Sequence, residues 1–276
     1  MTILVTGSGG FIGRNLVQHL TAARPEAEIV AVDIDTLDVR DRAGCFQLFA
    51  RVRPTHFVHA AALTIADDDE AVYAVNFYGT VNILDAAGAV ERGVMLSSSS
   101  VYGAPDGVAC DENHALHPVG AYACAKLDAE RRLEGLPVVA ARIGPVYGPF
   151  EKPSVSRPKT SMIHQLVEAL ESGRTLRIGG SDMQRDWTHA SDVAAALDGL
   201  LFADKLNHSI YNVSAGKSIS ARAVIAAFVE RGLKVCWTSD LQQADIVLDE
   251  KDSRGPLVIE RLRRDTGFQP RISIYD

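Results

Sequence analysis

Thr6-Gly7-Ser8-Gly9-Gly10-Phe11-Ile12-Gly13 separates a short apolar run, Ile3-Leu4-Val5-Thr6, from a segment with Leu16, Val17 and Leu20 at helical spacing. Glycines at 7, 10 and 13 allow a sharp strand-to-helix turn and let a ligand approach the main chain. The helix start offers unpaired N–H groups and the positive end of its dipole, which suits a pyrophosphate. Twenty residues beyond Gly13, Asp33 closes the next run, Ile29-Val30-Ala31-Val32, at the spacing of an acid that meets a ribose. Together these predict a dinucleotide-binding βαβ unit. A carboxylate at 33 can accept from both ribose hydroxyls and repels a 2′-phosphate. Asp35 adds to that repulsion, and no Arg or Lys occupies positions 34–39, so NAD is expected rather than NADP. Arg40 is the first cation that a folded-back loop can bring near that phosphate.

Working outward, the same alternation continues. Arg42 to Val52 reads as a helix stopped by Pro54, Phe57-Val58-His59-Ala60 as a strand, and Glu70 to Ala89 as a long helix. Val94-Met95-Leu96 is a strand running into Ser97-Ser98-Ser99-Ser100. Ala121 to Leu133 is helical, and Val138-Val139-Ala140-Ala141 is a strand. Strands spaced by helices predict an α/β fold, a Rossmann doubly wound parallel sheet with helices on both faces. The texture changes after Gly148-Pro149. Residues 1–148 are read as the NAD-binding Rossmann domain. Residues 149–276 are read as mainly a smaller C-terminal substrate lobe, with some segments returning to the Rossmann domain. Within that second part, residues 151–160 read as a loop over the cleft, Ser161 to Glu171 as a helix, and Ile210-Tyr211-Asn212-Val213 as a strand.

Bulk properties exclude several classes. A net charge of −7 gives no footprint for nucleic acid and no attraction to an anionic membrane. No apolar run reaches the ~18 residues of a membrane span. Four cysteines without a C-x-x-C pair, and a first strand entered directly from Met1, lead to the expectation of a cytoplasmic protein with reduced thiols. No metal is expected. Asp67-Asp68-Asp69-Glu70 reads as the acidic start of a helix, where carboxylates complement the dipole.

Tyr122 and Lys126 stand four apart on a helix and share a face. Of seven tyrosines, only Tyr122 is followed by a lysine at that spacing, which matters because the pattern alone is cheap. A phenol with a pKa near 10 is a poor base at neutral pH, and an adjacent ammonium lowers that value. Tyr122 is therefore the candidate acid/base, with Lys126 as its tuner and a hold on the nicotinamide ribose. Ser98, at the C-terminal end of a strand, is placed to orient the reacting oxygen.

These stretches resemble the extended short-chain dehydrogenase/reductases, the NAD-dependent epimerase/dehydratase family, over nearly the whole chain. The glycine loop, with Phe11 and Ile12, looks like its cofactor loop. His59-Ala60-Ala61-Ala62 looks like the strand end beside the cofactor, and Asn76 is similar to the family's helix asparagine. Ser97-Ser98-Ser99-Ser100-Val101-Tyr102-Gly103 resembles the serine motif. Arg142-Ile143-Gly144-Pro145-Val146-Tyr147-Gly148-Pro149 and Arg185-Asp186-Trp187-Thr188-His189 resemble two further landmarks. The resemblance implies cofactor contacts from Ala60, Ala61, Ala62, Asn76, Tyr122 and Lys126. It implies substrate contacts from Thr64, Ser99 and Arg185, and a homodimer through a helix bundle. Arg157, with Lys159, is a candidate for an anionic part of the substrate.

The departures are informative. Between Asp33 and His56 the chain is short, as in the dehydrorhamnose-reductase branch, which would place Asp38 and Val39 near adenine. The 4,6-dehydratases carry Asp-Glu directly after the catalytic hydroxyl. Ser99 and Ser100 stand there instead and argue against dehydration. Pro145 replaces an asparagine that holds the substrate in many nucleotide-sugar epimerases, and proline has no such donors. The expectation is an NAD-dependent epimerase or oxidoreductase acting on a sugar or nucleotide-sugar carbinol. A dehydrogenase of a free sugar, sugar acid or polyol is the alternative. A non-catalytic NAD(P) sensor is disfavoured because Tyr122 and Lys126 are both present.

Overall fold

A computed structural model describes residues 1–64, 68–103, 107–153 and 160–275. The N-terminal elements follow the sequence pattern closely: β1 (Thr2–Thr6), α1 (Phe11–Ala23), β2 (Glu28–Val32), α2 (Arg42–Val52) and β3 (His56–His59). The long helix comes next in three pieces, α3 (Asp69–Tyr73), a π-helical segment over Ala74–Gly79, and α4 (Thr80–Ala86). It is capped by Asp68, whose carboxylate accepts from the Glu70 amide. Beyond it lie β4 (Arg92–Ser98), α5 (Gly120–Glu130) and β5 (Val138–Ile143).

All six strands of the main sheet are parallel, in the order β10-β5-β4-β3-β1-β2, where β10 is Ile210–Val213 from the C-terminal half. The strands are apolar in both directions because both faces are covered. Ile3 and Val5 pack against Leu16 and Leu20 of α1 and against Val193 and Leu197 of α7 (Ala190–Phe202). Leu4 points the other way, into Cys45, Leu48 and Ile83 of α2 and α4. The chain leaves β1 toward β2 and then returns to β3 on the opposite side. A crevice therefore opens at the C-terminal ends of β1 and β3. Residues 33–41 form turns and no strand, so β2 is the sheet edge.

The remaining elements are β6 (Val146–Tyr147), α6 (Met162–Ser172), β7 (Leu176–Gly180), β8 (Gln184–Arg185) and β9 (Thr188–His189). After β10 come β11 (Ile219–Ser220), α8 (Ala221–Glu230), β12 (Val235–Thr238), β13 (Ile246–Leu248) and α9 (Glu260–Thr266). A three-stranded sheet, β12-β7-β13, packs on α6 and α8 through Leu166, Ile178, Val224 and Leu248 and forms a separate small core. His189 is built into the structure: its Nδ1 accepts from the Ser191 amide at the start of α7, and its ring meets Tyr147 edge-on.

Candidate active site

The glycine loop is shaped by contacts that exclude side chains. A Cβ on Gly7, at φ +71°, would lie 2.4 Å from the Ala61 nitrogen, and one on Gly13 would lie 2.0 Å from the Gly7 carbonyl oxygen. Loop, β3 end and helix start are thus in main-chain contact. Gly10 caps α1 without a side chain, so the first N–H groups of the helix face outward rather than onto a cap. Asp33 accepts from the Gly9 amide through Oδ2 and from Ile34 N through Oδ1, which ties the end of β2 to the loop.

Three cavities of about 530, 300 and 500 Å³ lie end to end over this crevice. The first holds Asp33, Asp35, Arg14 and Ser8. The second is lined by Gly7, Gly10, Phe11, Ile12, Gly13, Ala60, Ala62, Thr64, Ser98, Tyr122 and Lys126. The first two share Gly9 and Phe150 as walls. The second and third share Ser98, Ile143, Gly144 and Pro145. The third continues past Ser99 and Ser100 to Arg185 and Arg254. One trench therefore runs from the acid at the end of β2, past Tyr122, to a pair of guanidinium groups.

Within it, Lys126 is almost fully buried and donates from Nζ to the Leu96 carbonyl at 2.9 Å. Its Nζ lies 5.8 Å from the centre of the Tyr122 ring. Burial pulls the ammonium down to about 8, with the Glu130 carboxylate opposing that shift. Ser98 Oγ accepts from the Ser100 amide at 3.1 Å, at the start of a 3₁₀ turn over Ser99–Tyr102, which leaves the hydroxyl proton for another acceptor. Beneath the loop, His59 is fully buried between Thr6 Oγ1 (2.7 Å) and Thr80 Oγ1 (3.1 Å). Thr80 donates its own proton to the Asn76 carbonyl, so it accepts from His59 Nε2–H, and Nδ1 accepts from Thr6. Burial, then the Lys126 charge, pushes His59 down to about 3 and keeps it neutral.

Four expected cofactor residues do not line the three cavities. Ala61 backs Gly7 with its main chain. Asn76 is fully buried in the π-helical segment and donates to the Leu63 and Val72 carbonyls, bracing the strand exit. Val39 turns its side chain into the core beneath Gly79. Asp38 holds Arg40 through Nε at 3.0 Å and through Nη2 at 2.6 Å, which occupies that cation, while Arg14 lines the cavity that holds Asp33. Arg157 lies outside the described residues, with Lys159. Arg185 lines the third cavity; burial and the neighbouring Arg254 pull its guanidinium below the usual value. Arg254, Arg14, Phe150 and Lys152 also line the trench, and sequence reading does not single them out. Arg254 sits in an irregular stretch with no periodicity. The one signal for Phe150 is its position directly after the Gly148-Pro149 landmark; the structure places it at φ +67°.

The family model described as "NAD dependent epimerase/dehydratase family" matches residues 3–214. The chain belongs to the NAD-dependent epimerase/dehydratase family. It is 23% identical to dTDP-glucose 4,6-dehydratase of Streptomyces griseus, over 99% of this chain and 90% of that protein. It is 27% identical to GDP-6-deoxy-D-mannose reductase of Pseudomonas aeruginosa, over 99% of this chain and 93% of the other. Among solved structures, UDP-glucose 4-epimerase of Thermus thermophilus in complex with NAD superposes with a TM-score of 0.80. That pair is 26% identical, covering 100% of this chain and 97% of that one. The family is one of NAD-dependent enzymes, and the parallel sheet with its crevice is the fold these relatives share. No helix among the described residues is long and apolar enough to cross a membrane.

Proposed function

We propose that this chain is an NAD-dependent epimerase or oxidoreductase of a nucleotide sugar, with Tyr122 as the acid/base. The observation that carries the reading is the trench: Ser98, Tyr122 and Lys126 share a cavity with the glycine loop, and that cavity opens toward Arg185 and Arg254. The glycine cradle fits a dinucleotide, because any Cβ on Gly7 or Gly13 would fill or deform it. Gly7, Gly10, Phe11, Ile12 and Gly13 would hold the pyrophosphate against the start of α1. Asp33 would meet the adenosine ribose, with the main chain of Asp38 and Val39 toward the adenine. Ala60, Ala61, Ala62 and Asn76 shape the wall beside the nicotinamide. NAD bound there supplies the hydride acceptor and donor.

The chain's own residues do the rest. Tyr122 takes the proton from the substrate carbinol as its carbon is oxidised and returns it on reduction. Lys126 keeps positive charge beside that phenol and holds the nicotinamide ribose. Ser98 donates its free proton to the reacting oxygen. Thr64 and Ser99 line the path of the sugar, and the paired guanidinium groups suit a diphosphate. Buried Arg185 Nε and Ser100 Oγ have no hydrogen-bond partner among the described residues, and both residues face the same cavity. Arg157 is proposed as a further anion contact. Ser99 and Ser100 offer no carboxylate for water loss, which sets this site apart from a 4,6-dehydratase.

A second reading, a dehydrogenase of a free sugar, sugar acid or polyol, is favoured by Pro145, which lines both inner cavities and offers no donor. A homodimer through α3, α4 and α5 belongs to the first reading. Tyr73, Phe77 and Tyr78 cluster there, and Tyr78 is 59% exposed. A cytoplasmic setting suits the four free thiols.

The test is to denature the purified protein, assay the released cofactor, and screen UDP-, dTDP- and GDP-sugars against free sugars. Near-stoichiometric NAD with turnover of a nucleotide sugar supports an epimerase. Empty protein that reduces added NAD on a free sugar selects the second reading. Released NADP overturns the role given to Asp33.

A further inference from the structure

Behind the trench, a buried polar cluster joins the two elements that carry the reactive side chains. Ser97 lies between Leu96, whose carbonyl holds Lys126, and Ser98. Its hydroxyl donates to Glu130 Oε1 at 2.5 Å. Glu130 is on α5, one helical turn beyond Lys126 and two beyond Tyr122. Its carboxylate is gripped by Arg142 of β5, from Nε at 2.9 Å and from Nη2 at 2.7 Å, and both side chains are 4% exposed. Arg142 continues the cluster by donating to Tyr102 Oη at 2.9 Å, and Tyr102 donates to Asn212 Oδ1 at 2.7 Å. Every bond in this chain is between buried groups, so each is costly to leave unmade.

We propose that Glu130 is a positioning residue for the reaction: held by Ser97 and Arg142, it locks the end of β4 to α5 and thereby fixes Lys126 against Tyr122. A second β4–α5 tie, from Lys126 itself to Leu96, is one residue away along the strand. Without the Glu130 tie the ammonium depends on a single carbonyl. Lys126 is faced by Tyr122 and Glu130 from its own helix, by neutral His59 from β3, and by the Leu96 carbonyl from β4; Arg142 of β5 reaches it only through Glu130. Among the described residues, Glu130 is thus the carboxylate whose charge acts on the lysine. This proposal rests on the Tyr122–Lys126 coupling in the proposed function, so its test needs no substrate.

The experiment follows tyrosinate absorbance near 295 nm against pH in the NAD-loaded protein, with Tyr122 isolated by difference from the Tyr122→Phe variant. Lys126→Met sets the scale. Loss of the cation moves the Tyr122 titration upward, and no movement in this variant overturns the coupling itself, on which both readings stand. Glu130→Gln is expected to reproduce part of that shift, at least about threefold in the ionisation constant. Arg142→Gln is made in the same variant, because a guanidinium left unpaired roughly 12 Å from Tyr122 by helical rise would itself draw the titration downward, whereas removing both members of the pair leaves the net charge of the cluster unchanged. Glu130→Asp keeps the charge but draws it away from Ser97 and Arg142. It is expected to shift the titration by about twofold in the same direction. A Glu130 that merely stabilises the fold lowers the melting temperature and leaves the Tyr122 titration at its wild-type position. That result, in Glu130→Gln or in Glu130→Asp should the former not fold, overturns the proposal.

Discussion

Replacing Gly13 with alanine sets two effects against each other. Gly13 is inside α1, where alanine is the better helix former by about 1 kcal/mol. On propensity alone, Gly13→Ala stabilises the protein. The new methyl, however, falls 2.0 Å from the Gly7 carbonyl oxygen and 2.9 Å from Ser8 Cα, far inside contact distance. Gly7 cannot retreat, because its own Cα side is pressed against the Ala61 main chain. The loop must lift away from α1, into the space a pyrophosphate would use. Overpacking of this kind costs about 1–3 kcal/mol, which cancels or exceeds the helical gain. Lifting the loop also misaligns the main-chain N–H donors. Losing two charge-assisted hydrogen bonds at about 1.5–3 kcal/mol each weakens NAD binding by at least a hundredfold. The assay is titration calorimetry with NAD, paired with melting temperature. A variant with unchanged affinity and a raised melting temperature refutes the argument, because the loop would then have accommodated the methyl without leaving its place.

Three further outcomes are expected. Tyr122→Phe lowers turnover by about 10²–10⁴-fold while NAD affinity stays within a few-fold, as read by steady-state kinetics and NADH fluorescence. Arg185→Ala or Arg254→Ala raises KM for a nucleotide sugar by roughly tenfold or more and leaves any free-sugar turnover unchanged; equal losses on both substrates contradict a diphosphate role. Acid stability carries the mark of His59. It is about 3 when folded against an ordinary value near 6.5, so the unfolded chain binds the extra proton and stability falls as pH drops below 6.5. The loss is about 2 kcal/mol by pH 5. Urea denaturation at pH 7 and pH 5 reads it, and a His59→Asn variant with the same pH slope removes the assignment.

The parts of this molecule that were legible in its sequence are those whose signal is local. The strand-glycine-helix order fixes β1 and α1 within two residues, since periodicity and the loss of Cβ at Gly7 and Gly13 are properties of adjacent residues. Pro54 places the end of α2 for the same reason. Tyr122 and Lys126 share a helix face by spacing alone, and the structure brings them to one cavity with Ser98. What was not legible depends on contacts between distant segments. The helix read through to Ala89 stops at Ala86, ahead of Gly88 at φ +53°, and it passes through a π-helical segment where buried Asn76 bonds both one turn back, to Val72, and across to Leu63. The packing of the Val39 side chain against Gly79, forty residues away, is likewise a contact that no local pattern encodes.

The same distinction explains why substrate chemistry is harder to read than cofactor chemistry. The dinucleotide end of the trench comes from one βαβ unit, so one stretch of sequence encodes it. The far end is assembled from Ser99 after β4, Pro145 after β5, Arg185 on β8 and Arg254 after a 3₁₀ turn, four segments spread over more than half the chain. Arg185 could be read because it sits in a landmark. Arg254 becomes visible only once folding places it beside Arg185, where the two like charges press on each other. Asp252 offsets part of that repulsion from 3.8 Å, but it is more than half exposed, and Arg185 Nε has no hydrogen-bond partner among the described residues. Two half-buried cations held this close to one cavity favour an anion between them. The pairing of Arg185 with Arg254, which no local pattern encodes, is therefore the feature that moves the reading from a sugar toward a sugar carried on a diphosphate.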